Sequence, residues 1–168
     1  MRTAEEVHVR LALENMLPGH LCADAASLRA LLDDIASPHL GACFDTGHAH
    51  VNKEHVVSAF TALRERIIAF HLQDNDGNGD KHLQPPYGAI DWEAFRDELR
   101  SMAFAHPLAV EAAPWNGASW GVLLRELRAL FSEGVLTVRV GDRSLKAVCP
   151  QCGRYCFGTR EHWFCACG

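Results

Sequence analysis

The sequence predicts an α/β fold, about four β/α units on a parallel sheet with a small β-rich segment behind it, and three observations predict it. Short, nearly continuous apolar runs alternate with stretches whose apolar residues recur at helical spacing. Each run ends on a residue able to hold a metal: Glu14 in LALEN, Asp45 in GACFDTGH, His71 in IIAFHLQD and Glu111 in LAVEAAPW. Beyond Glu133 the pattern turns to strict alternation and then to clustered cysteines. Uninterrupted apolar strands separated by amphipathic helices belong to a parallel sheet covered by helices. In such sheets chemistry gathers at the C-terminal strand ends.

The elements follow in order. Residues 3–7 have the character of the end of a preceding helix. Residues 9–14 form the first strand, residues 15–19 break it, and residues 25–35 form a helix with Leu28, Leu31, Leu32 and Ile35 at helical spacing. Residues 40–45 are the second strand. Its helix runs over 54–67, with Val56, Val57, Phe60 and Leu63 on a common face. The third strand, 67–72, leads into a long loop over 73–90, rich in Asp, Asn, Gly and Pro. A helix over 92–102 is capped by Asp91. Residues 108–111 are the fourth strand, and APWNGAS leads to a last helix over 120–131 capped by Ser119. After a boundary near Gly134, VLTVRVGDRSLKAV alternates around a Gly-Asp turn and predicts a β-hairpin. Residues 1–133 are thus expected to form one unit and 134–168 another.

Bulk properties narrow the function. At 168 residues the chain is shorter than the roughly 250 of a full (β/α)₈ barrel. No apolar run approaches the roughly 18 residues of a membrane span. The mixed charge of MRTAEEVHVR differs from a secretory signal, which places the chain in the cytosol as an expectation. The net charge of −5 disfavours a nucleic-acid partner, since phosphate contacts are supplied by basic faces.

The seven cysteines are odd in number, and five crowd between Cys149 and Cys167, which favours thiolate metal binding over a disulfide framework. Cys149 and Cys152, then Cys165 and Cys167 after a 12-residue spacer, predict a zinc-ribbon-like tail. The second pair departs from the usual two-residue spacing, which leaves Cys156 or His162 as substitute ligands. A segment this small needs such a staple to fold, and a closed four-ligand zinc site serves stability or contact rather than catalysis.

The stretches LALEN, FDTGHAH, FHLQDNDGNGDKH, PPYGAIDW and AVEAAPW, in this order, resemble the xylose isomerase-like TIM-barrel superfamily. That superfamily includes sugar and sugar-phosphate isomerases and epimerases and the endonuclease IV class. The resemblance covers residues 4–131 and implies half of a TIM barrel, strands five to eight. It implies that Glu14, Asp45, His71 and Glu111 hold one divalent cation. Three carboxylates and an imidazole make a hard, mainly oxygen-lined set suited to Mn²⁺, Mg²⁺, Co²⁺ or Zn²⁺. It further implies that Glu14 and Glu111 remove and return a proton next to a carbonyl, and that His48 contacts a substrate hydroxyl or another metal. Asp80 and His82 match a pair that completes a multi-metal cluster in the endonuclease IV class and also occurs in members acting on sugars.

Trp115, just beyond Glu111, stands where it covers a sugar face or packs its loop. Trp92 is expected as a packing anchor, His50 as a loop histidine and His55 in the first turn of a helix. The leading functional reading is a sugar or sugar-phosphate isomerase or epimerase with a small sugar as partner and no membrane or nucleic acid. The alternatives are an endonuclease IV-like phosphodiesterase acting at abasic sites and a non-catalytic interaction module. Four strands leave the edges of a barrel unpaired, so the chain is expected to form a homo-oligomer or to pair with a complementary N-terminal half.

Overall fold

The structure, a computed structural model, describes residues 2–102, 104 and 108–131, together with the backbone of three short strands in the tail. A short helix, α1 (Arg2–Glu6), precedes β1 (Leu11–Glu14), α2 (Ala25–Ile35) and β2 (Leu40–Asp45). Two helices follow, α3 (Thr46–Val51) and α4 (Val56–Leu63), then β3 (Ile67–Leu72), α5 (Trp92–Ser101), β4 (Ala109–Val110) and α6 (Trp120–Phe131). The four strands lie in the order β1-β2-β3-β4 and every neighbouring pair is parallel. This is the helix-covered parallel sheet that the alternation of apolar runs and helices predicts, and it is consistent with the half TIM barrel that the resemblance implies.

Side chains alternate across a strand, so each strand divides its residues between two faces. Ala42, Phe44, Phe70 and Leu72 point toward the helices and join Leu28, Leu32, Phe60, Leu63, Phe95 and Leu99 in one apolar cluster. Four phenylalanines form its centre, with Phe60 and Phe95 ring centroids 5.2 Å apart and Phe44 and Phe70 in edge contact at 6.2 Å. Such pairs contribute about 0.5–1.5 kcal/mol each beyond area burial. Trp92 packs edge-on against Phe95 and Phe131, as a packing anchor should.

The register brings the strand ends level: Glu14 lies opposite Cys43, Asp45 opposite His71, and the Glu111 N–H donates to Leu72 O at 3.0 Å just past β4. The long loop over 73–90 is pinned beside them by Asp74. This buried carboxylate accepts from the backbone N–H groups of Asn75, Gly88 and Ile90 and from Trp92 Nε1 at 2.7–3.2 Å. Burial pushes Asp74 up to about 6, against the downward pull of those donors.

Several boundaries differ from the expected ones. β1 begins at Leu11 because His8 takes a positive φ of 54° and the Val9 N–H closes back onto Ala4 O. α4 begins after His55, which is its N-cap rather than a first-turn residue, with ring Nδ1 accepting from the Ser58 N–H at 3.3 Å. It ends at Leu63, and Arg64–Arg66 tighten into a 3₁₀ turn. His50 lies in α3, not in a loop. Asp91 caps α5 as expected, accepting from the Ala94 N–H at 3.1 Å, and the Ser119 hydroxyl accepts from the Val122 N–H at 3.4 Å.

In the tail, β5 (Ala147–Val148), β6 (Tyr155–Gly158) and β7 (Trp163–Phe164) form an antiparallel sheet in that order. The expected Gly-Asp turn, the boundary near Gly134, the ligands Cys149, Cys152, Cys165 and Cys167, and His162 lie outside the described residues, as does the Cys156 side chain. Among the described residues no helix is long and apolar enough to cross a membrane.

Candidate metal centre

The site is built where β2 stops. Asp45 is the last residue of β2 and the N-cap of α3, and its Oδ1 accepts from the His48 N–H at 2.7 Å. An N-cap carboxylate satisfies one of the helix's unpaired donors, so the DTGH sequence fixes Asp45 in place by forming the helix that follows it. Asn15, the residue after β1, clasps the same residue. Its Nδ2–H donates to Asp45 O at 3.0 Å and its Oδ1 accepts from the Asp45 N–H at 2.8 Å. Thr46 ties β2 to the end of β3, its hydroxyl donating to Gln73 O at 2.7 Å and accepting from the Gln73 N–H at 3.1 Å.

Gly47 is required by close approach: a Cβ there would lie 2.4 Å from Gln73 Oε1. The room so left lets the Gln73 side chain lie flat and donate from Nε2 to Asp80 Oδ1 at 2.7 Å and, at 3.4 Å, to Asp45 Oδ2.

Glu14, Asp45, His71 and Glu111 each offer one ligand atom, and these atoms lie within 4.8 Å of one another. His71 Nδ1 stands between the two glutamates, 3.0 Å from Glu14 Oε1 and 3.5 Å from Glu111 Oε2. Asp45 is fully buried, whereas the Glu111 side chain is 47 % exposed, so the cluster grades from a closed floor to an open mouth. Burial pushes Asp45 up to about 6, with the Glu14 charge adding to the rise and the His48 N–H opposing it. The surrounding protein therefore leaves the charge of this carboxylate incompletely balanced, and the donor set fits a divalent cation on that ground as well as by its oxygen-rich chemistry.

His48, Asp80 and His82 form a second group beside the first. His48 Nδ1 is 2.9 Å from Asn15 O, an acceptor only, so that nitrogen carries the proton and Nε2 faces Asp80 Oδ2 at 3.6 Å. His82 is placed between two acceptors, Glu111 O at 2.7 Å from Nδ1 and Asp80 Oδ2 at 3.0 Å from Nε2. Burial works to lower His82, but the Glu111 carbonyl and the Asp80 charge outweigh it and raise its pKa above the ordinary histidine value. Burial likewise works to raise Asp80, and the Gln73 hydrogen bond with the charges of His82 and His48 outweighs it, holding the carboxyl below its usual range.

Trp115 stacks on Tyr87, with centroids 4.8 Å apart and 15° between planes, and its backbone N–H donates to Gln84 Oε1 at 2.9 Å. One indole face is thereby covered by protein.

Three residues of the site escape sequence reasoning. Asn15 reads only as a strand breaker and Gln73 only as the start of a loop, because their partners lie about 30 positions away, Asp45 from Asn15 and Asp45 from Gln73. Cys43 reads as one more small apolar strand residue. Its place opposite Glu14 is a matter of register between strands.

The xylose isomerase-like TIM barrel family matches residues 1–130. An uncharacterised protein of Methanocaldococcus jannaschii is 31% identical over 112 residues, 64% of this chain and 38% of that protein. The D-psicose 3-epimerase of Enterocloster bolteae is 24% identical over 159 residues, 94% of this chain and 50% of that protein. Among solved structures, a D-tagatose 3-epimerase-like protein superposes with a TM-score of 0.60 at 28% identity, covering 66% of this chain and 43% of that one. The chain thus spans half or less of the length of these relatives.

Proposed function

Because the chain belongs to the xylose isomerase-like TIM-barrel family, we propose that it serves the isomerisation or epimerisation of a sugar or sugar phosphate, with Glu14, Asp45, His71 and Glu111 holding a divalent metal. The observation that carries this reading is the pair of glutamates on either side of His71, at 3.0 and 3.5 Å from its Nδ1. When bound, a divalent cation polarises a carbonyl and its neighbouring hydroxyl and so acidifies the C–H between them. Glu14 and Glu111 remove and return that proton, one from each side. His48, its tautomer fixed by Asn15 O, offers Nε2 to a substrate hydroxyl. Trp115, four residues past Glu111 and stacked on Tyr87, is assigned to the sugar side of the same loop. The names of the relatives, sugar 3-epimerases among them, support this substrate class.

In this reading residues 1–133 carry the chemistry in the cytosol, and the tail binds zinc through Cys149, Cys152, Cys165 and Cys167 for stability or contact. The direct test is incorporation of deuterium from D₂O at the carbon next to the carbonyl of a ketose, followed by NMR on metal-loaded protein. Exchange is expected, and Glu111→Gln should slow it about 100-fold, within the range of general acid-base catalysis. Undiminished exchange in that variant would overturn the proton-transfer assignment.

A second reading, metal-dependent phosphodiester cleavage at abasic sites, draws support from the neighbouring His48, Asp80 and His82 group. It requires more than one metal per strand-end site, whereas the sugar chemistry requires one. Metal stoichiometry separates the two.

A further inference from the structure

Beneath the four strand-end ligands lies an overlapping donor set. Cys43 stands two residues before Asp45 in β2, and two-residue periodicity puts it on the sheet face turned away from Phe44 and the helices. It is 4 % exposed, yet it stands outside the apolar cluster that contains Ala42 and Phe44. Its charged neighbours are instead Glu14, Asp45 and Glu111. Glu14, Cys43 and His71 each offer one ligand atom, and these too lie within 4.8 Å of one another. The two sets share Glu14 and His71 and differ in what completes them: two carboxylates in one, a thiol in the other.

Thiolates select soft or borderline metals, and carboxylates select hard ones. We infer that the centre holds two alternative coordination sets: a hard ion such as Mn²⁺ or Mg²⁺ is bound by Glu14, Asp45, His71 and Glu111, and a softer one such as Zn²⁺, Co²⁺ or Cd²⁺ is drawn deeper by Glu14, Cys43 and His71. This deepens the metal-centre reading and rests on it. Ligation replaces the S–H bond by a metal–sulfur bond and releases that proton to solvent, because a coordinating thiol is deprotonated outright.

The experiment is calorimetric titration of the full chain with Cd²⁺ and with Mn²⁺, comparing wild type with Cys43→Ser and Cys43→Ala. The expected result is a loss of Cd²⁺ affinity of at least about tenfold, the low end of what even an outer-sphere partner contributes. Mn²⁺ affinity is unchanged. The tail cysteines are common to all three proteins and cancel in the difference. A measurement that leaves Cys43 intact adds to this: the sulfur-to-cobalt charge-transfer absorption of the Co²⁺-loaded wild type should fall in Glu14→Gln.

Equal losses for both metals would reduce Cys43 to a packing role and overturn the inference, as would unchanged Cd²⁺ affinity with an unchanged cobalt spectrum. Wild-type protein that binds neither ion at the strand ends would instead overturn the metal-centre reading beneath it.

Discussion

At the scale of single residues, the site depends on groups whose work is to hold other groups still. Gly47 is the sharpest case, because a methyl there meets the Gln73 amide at 2.4 Å. Gln73 is fully buried and cannot retreat, so Gly47→Ala should lower stability by about 1–3 kcal/mol, as overpacking does, measurable by urea unfolding. Asp74 is the second case. Asp74→Asn places an amide N–H₂ against several N–H donors, and leaving buried donors unsatisfied costs about 1–3 kcal/mol each. A fall in the unfolding midpoint with the sheet's circular dichroism retained is the expected result. The grouping of Glu14, Asp45, His71 and Glu111 was legible in the sequence because each ends an apolar run, a position that the sheet converts into a shared location. Asn15, Cys43 and Gln73 were not, since hydrogen bonds and register across the strands leave no local trace.

At the scale of elements, the amphipathic helices were legible and α3 was not. α2, α5 and α6 repeat apolar residues at helical spacing, so pattern and structure agree. α3 is the exception. Its six residues, TGHAHV, show no amphipathic stripe, and its first four are all buried around the site that it caps. The start of β1 was displaced by a local bond, the Val9 N–H turning back five residues to Ala4 O in α1.

Asp24 caps α2 by accepting from the Ser27 N–H at 2.8 Å and from its hydroxyl at 3.0 Å, and these bonds lower its pKa below 3.8. A depressed pKa means that the folded state binds the proton less tightly than the unfolded chain. The cap's contribution is therefore present above about pH 4 and is lost as the pH falls through the folded value. Asp24→Ala should cost about 1 kcal/mol at neutral pH, with the gap from wild type closing in acid. Thermal melts at a series of pH values would show it, and a gap that widens in acid would contradict the capping account.

At the scale of the whole molecule, the sheet is half of a closed barrel and its outer strands β1 and β4 each pair with a single neighbour among the described residues. Val7, Val9 and Leu11, at and before the β1 edge, are 60, 48 and 45 % exposed. Unpaired parallel edges with apolar flanks favour association. Purified alone, the chain is expected to self-associate, and a monodisperse monomer in light scattering with a cooperative melt would contradict this. The half-barrel was readable from the order of the motifs, which resembles strands five to eight of the family's barrel.

Glu14, Asp45, His71 and Glu111 meet at one end of the sheet, and the proposed function requires that together they hold one divalent ion. Metal analysis of the purified full chain tests it most directly. The account predicts one divalent ion beyond whatever the cysteine-rich tail retains, and loss of that ion in Glu14→Gln. The absence of any ion beyond that held by the tail, with metal content unchanged by Glu14→Gln, would contradict it.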